Sequence, residues 1–131
     1  MRITKLAAVL ATFLVLIALG CVTAKPIHSV SGAPISTSKS NPSLGEIGKA
    51  IVSAGVSLGW QMKETKPGNI TGTYSTQNLV AVVDVNYNTK SYSIAHKDST
   101  GLSYTGQTVH ERYNIWVRNL DQKIRAQLSA L

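Results

Sequence analysis

The hydrophobic period changes twice along this chain, and those changes restrict its fold more than any other feature. Leu44, Ile47, Ile51, Ala54 and Leu58 recur at spacings of three and four, which lays one apolar stripe along an α-helix. Ser43-Leu44-Gly45-Glu46 predicts the start of that helix as a capping box, with the serine oxygen accepting a first-turn amide and the glutamate reaching back. Gly59 is placed to end it in a left-handed cap. From Trp60 the period is two. Trp60, Met62 and Glu64 alternate with polar neighbours, Pro67-Gly68 turns the chain, and Ile70, Gly72 and Tyr74 return as the second strand of a hairpin. Leu79 to Tyr87 and Ser91 to Lys97 form a second hairpin about Asn88-Thr89. A loop from Asp98 to Gln107 follows, in which Leu102 and Tyr104 are expected to plug the core edge. The period then returns to that of a helix. Val109, Tyr113, Val117, Leu120, Ile124 and Leu128 form its stripe, behind an expected second capping box at Thr108-Val109-His110-Glu111.

The order α-β-β-β-β-α predicts an α+β domain over residues 43–131, a two-layer sandwich in which a four-stranded antiparallel meander carries both helices on one face. Trp60, Met62, Ile70, Tyr74, Ala81, Val83, Val85, Tyr92 and Ile94 share the covered side. The other side is mostly polar, as an antiparallel sheet tolerates. A domain of this size folds on its core without staples.

The chain's first twenty residues read differently. Arg2 and Lys5 precede an apolar run from Leu6 to Gly20, broken only by Thr12, which predicts an export signal over residues 1–20. The run falls short of the about 20 apolar residues that a spanning helix needs. Residues 21–42 are low in charge, rich in Ser and Thr, and carry Pro26, Pro34 and Pro42 with no apolar period. They are expected to act as a flexible tether of about 25 Å.

Ala18-Leu19-Gly20-Cys21 resembles the lipobox of bacterial lipoproteins, Gly20 and Cys21 carrying the likeness while Ala18 and Leu19 stand where that family prefers Leu and a small residue. The resemblance implies cleavage before Cys21 and lipidation of its thiol and new amino group. Anchoring by more than one acyl chain is stable, because each buried methylene contributes about 0.8 kcal/mol. Val22 follows, not the Asp that retains many such proteins in the inner membrane, so the implied address is the periplasmic face of the outer membrane. A lipidated Cys21 leaves no thiol for a disulfide, since the chain has one cysteine.

A second likeness covers nearly the whole domain. Gly59-Trp60 through Pro67-Gly68, Tyr92-Ser93-Ile94, Asp98-Ser99 and the run Tyr113-Asn114-Ile115-Trp116-Val117-Arg118-Asn119-Leu120 resemble a group of small proteobacterial lipoproteins of unknown function. Where members tend to carry a histidine at the start of the third strand, this chain has Asn78-Leu79. The resemblance implies a fold and an address but no reaction.

Charge and composition exclude more than they assign. Of 13 basic residues, Arg2 and Lys5 leave with the signal, so 11 face 6 acidic ones and the mature chain carries a formal +5. The cations are spread out, without the interleaved aromatics that stack on single strands, which argues against a nucleic-acid partner. The acids offer no spaced pair. Ser99 or Ser103 with His96 or His110 and Asp98 could supply a hydrolytic trio or metal ligands in region 98–110, but no Gly-x-Ser-x-Gly elbow marks a nucleophile. No cofactor is expected. The reading favoured by the residues is a non-catalytic, lipid-anchored envelope module that meets an envelope protein or wall component. Its candidate contact is on the second helix, where Ile115 falls on the polar side amid Arg112, Arg118 and Arg125.

Overall fold

The computed structural model describes residues 24–131; the expected signal peptide over 1–20 and Cys21 lie outside them. In chain order the elements are β1 (Ala24–Pro26), β2 (Val30–Pro34), α1 (Leu44–Ser57), β3 (Gln61–Lys66), β4 (Asn69–Thr76), β5 (Leu79–Tyr87), β6 (Ser91–Thr100), β7 (Thr108–His110) and α2 (Glu111–Ser129). The fold is α+β. Its caps explain where α1 begins and ends. The Glu46 amide donates to Ser43 Oγ at 3.1 Å while the Ser43 amide donates to Glu46 Oε1 at 3.4 Å. At the other end Gly59 takes a φ of +91°, and the Gly59 and Trp60 amides donate to the carbonyls of Val56 and Gly55, closing the last turn.

β2, β6, β5, β4 and β3 lie side by side, in that order, as an antiparallel sheet, and β1 pairs with β7 in a separate two-stranded ribbon. Five strands therefore stand where the sequence predicted four. Pairs such as Ile70 with Val85, Val85 with Ile94, and Tyr87 with Tyr92 put alternate residues on one face, where they are buried with Ile47, Ile51 and Ala54 of α1 and Tyr113, Val117, Leu120, Ile124 and Leu128 of α2. α1 lies close on this face because Gly48 and Gly55, two turns apart, leave room for the Tyr87 hydroxyl and the Met62 side chain. A Cβ at Gly48 would stand 2.5 Å from Tyr87 Oη.

Three local expectations are corrected. β6 runs on through Thr100 instead of ending at Lys97, so the loop begins later. Of the two expected plugs Leu102 is buried, whereas Tyr104 is 44% exposed. The second capping box is absent: Thr108–His110 is strand, and His110 caps α2 by accepting the Arg112 amide on Nδ1 at 3.1 Å.

The largest correction concerns the tether. The described part of residues 21–42 is bound to the domain. β1 aligns Ala24 with His110 and Pro26 with Thr108, and β2 extends the sheet beside β6 with Val30 opposite Ile94 and Ala33 opposite Tyr92. Val30 and Ala33 are buried, and Ile27 and Ile35 pack partly buried against the core. The Ile27 amide donates to the Gln107 carbonyl and the Ile35 amide to the Lys90 carbonyl. Further on, Ser38 Oγ donates to the Ser129 carbonyl at 3.0 Å and Lys39 pairs with Glu46 at 2.7 Å. The pairing hides itself from a search for period two, because a register shift between Val30 and Ala33 turns both residues inward at a spacing of three.

Candidate functional site

Two regions hold the residues singled out above. The first lies at the end of β6. A register shift opposite Val82 and Val83 puts His96 opposite Val83 and Ser99 opposite Ala81, so both reach the helix-covered side. His96 Nε2 is 3.0 Å from Ser99 Oγ. The imidazole stacks on Tyr104, ring centroids 3.7 Å apart, and leans on Tyr113 at 5.4 Å. Burial pushes the imidazole below its ordinary value, and the Asp98 carboxylate pulls it partly back. A neutral imidazole on a serine hydroxyl is half of a hydrolytic site. The other half is not assembled among the described residues. No carboxylate hydrogen-bonds to His96, Asp98 Oδ1 instead accepts the Ser99 amide at 2.8 Å, His110 Nδ1 serves as a helix cap, and Ser103 is exposed on a left-handed backbone with φ +53°. No group of three or more His, Cys, Asp or Glu that could hold a metal ion occurs among the described residues.

Tyr113 completes this cluster with an oddity. Its hydroxyl is fully buried and has no hydrogen-bond partner among the described residues. Burial pushes the phenol far above its ordinary value, with Tyr104 adding to the shift. A buried hydroxyl without a partner costs about 1–3 kcal/mol in lost hydration. Tyr113→Phe should therefore leave the melting temperature unchanged or raise it. A fall of more than a few degrees would show that the hydroxyl has a partner in solution.

The second region is the outer face of α2. Ile115 is 45% exposed, and Arg112 and Arg118 are exposed beside it, with neither in an ion pair among the described residues. Arg125 is differently placed. Its Nε donates to both carboxylate oxygens of Asp121 at 3.3 and 3.2 Å, and its guanidinium carbon lies 5.9 Å from the Tyr92 ring centre, while the Tyr92 hydroxyl donates to the same carboxylate. Burial and that carboxylate push the Tyr92 phenol far up. Asp121, which the sequence could pair with Arg118 or Arg125, is thus committed to Arg125 and to the sheet. Arg125 borders a shallow groove of about 230 Å³ with Pro34, Ser36, Leu128 and Ser129. A second groove, about 260 Å³, runs along Leu58, Asn119, Gln122, Lys123 and Ala126, and neither groove reaches His96.

Asn114 escaped the sequence reading. It is fully buried on the inner flank of α2, where its Nδ2 donates to the Pro26 carbonyl at 2.9 Å and its Oδ1 accepts the His28 amide at 2.8 Å. A polar residue next to a helix's apolar stripe is the available signal, but it names no partner. Comparison of the chain with protein-family models, curated proteins and solved structures gives no match.

Proposed function

We propose that this is a lipid-anchored envelope protein, attached through Cys21 at the periplasmic face of the outer membrane, whose domain is a non-catalytic interaction module. The observation that carries the reading is the charged start and apolar run ending in Gly20-Cys21. Support for a non-catalytic role comes from the His96–Ser99 pair, whose imidazole meets no carboxylate hydrogen bond among the described residues, and from Asp121, which is occupied by Tyr92 and Arg125. The contact face is the outer side of α2, with Ile115 at its centre and Arg112 and Arg118 around it; Arg125, held on Asp121, borders it. Cells fed labelled fatty acid should transfer the label to the wild-type chain and none to Cys21→Ser. A wild-type chain that stays unlabelled would contradict the anchor.

A further inference from the structure

The placement of β1 decides how far the domain can stand from its anchor, and it does so at one end of α2. Ala24 aligns with His110, the residue that caps α2, so chain length alone holds Cys21 near that helix's first turn. Three Cα–Cα steps separate Cys21 from Ala24, a reach of at most about 11 Å. A domain of this length has a radius of gyration of roughly 13 Å. The arm is therefore shorter than the body it holds, and a lipidated Cys21 keeps this end of the domain within about 11 Å of the headgroups.

Residues at that end have the chemistry of a headgroup contact. Lys25 lies on β1 opposite Val109 and is exposed; Arg112 follows two residues after the cap, and Ile115 and Arg118 stand one and two turns along the same outer face. By the helical rise, Ile115 lies about 7.5 Å along the axis from His110, within the span of the arm itself. Three cations face one carboxylate in this stretch, the half-buried Glu111. An apolar side chain ringed by cations suits an anionic phospholipid surface, where the ring meets phosphates and the centre enters the glycerol level.

We propose that this end of the domain, Lys25 with Arg112, Ile115 and Arg118, seats on the phospholipid headgroups that surround its own anchor. The proposal rests on lipidation of Cys21 and names the partner of the α2 face. A protein partner at the same face is the competing occupant, but it would have to fit within about 11 Å of the membrane at that end.

The test uses the full lipidated chain in vesicles of phosphatidylethanolamine with phosphatidylglycerol. Because an acylated Cys21 does not react with thiol reagents, Ile115→Cys can carry a nitrobenzoxadiazole label, and Ser75→Cys, exposed on the opposite sheet face, serves as the reference. Lipids bearing a headgroup nitroxide should quench the label at 115 strongly and the label at 75 weakly. Adding Arg112→Glu and Arg118→Glu should weaken seating by about thirtyfold or more, since each cation near an anionic surface is worth about a fivefold factor. Equal quenching at both positions in protein that floats with the vesicles would overturn the seating while leaving the anchor intact. Protein that does not float would overturn both. A photocrosslinker at 115 that captures a discrete protein in cells, with no phospholipid adduct, would give the face to a protein and overturn the proposal as well.

Discussion

A chain shortened to begin at Asn41 is expected to lose its cooperative melt. Sequence reasoning alone predicts the opposite, since residues before the Ser43 capping box carry no helical or strand period. The shortened chain would lack β1 and β2, exposing the outer edge of β6 and the apolar surfaces now covered by Val30, Ala33, Ile27 and Ile35. Burial of a Val or Ile side chain contributes about 1.5–3 kcal/mol, and several such losses together match the about 5–15 kcal/mol by which small domains are stable. An unpaired β6 would also be a template for association. Circular dichroism melts of the two chains check this, and a sharp, unshifted transition in the shorter one would show that the segment only decorates the fold.

The second large effect is expected at Asn114. Replacing it with Leu keeps the branched shape but removes both hydrogen bonds that hold the segment at Pro26 and His28. A carbonyl and an amide would be left without partners at a fully buried side chain, at a cost of about 2–4 kcal/mol. For a domain of this size that is a fall in melting temperature of roughly 10–20 °C. Asn114→Asp should be worse at neutral pH, because a carboxylate at this buried position loses its hydration and faces the Pro26 carbonyl oxygen. A melting temperature within two or three degrees of wild type for Asn114→Leu, by calorimetry, would show that the segment is held by its strand pairing alone.

The elements that were legible in the sequence are those whose periods run unbroken. α1, β5 and the stripe of α2 could be read because each buries one face over its whole length, and residues of fixed conformational use mark the ends of α1 at Ser43 and Gly59 and the turn from β3 to β4 at Pro67-Gly68. Less legible were the places where pairing shifts by one residue. The shift between Val30 and Ala33 spaced two inward residues by three and made a strand look like a linker; the shift near Lys97 brought His96 and Ser99 together although they are not two apart. Short strands fared no better. β1 and β7 have three residues each, too few to show a period. At the candidate site, the exposure of Ile115, Arg112 and Arg118 followed from helix phase, whereas the engagement of Arg125 did not. Arg118 and Arg125 both stand at helical spacings from Asp121, the acid-first i,i+4 order favouring Arg125, but the Tyr92 hydroxyl that joins the same carboxylate from β6 has no signal in that spacing.

The anchor's short reach depends on residues 24–35 being held to the domain. Native-state hydrogen exchange measures this residue by residue, at the amides of Ile27, His28 and Ile35, which donate respectively to the Gln107 carbonyl, Asn114 Oδ1 and the Lys90 carbonyl. If the segment is integral, these three amides exchange only through large-scale opening, with protection approaching that of Ile94 in β6. Exchange at the rate of an unstructured chain at all three would contradict the account and restore the flexible tether.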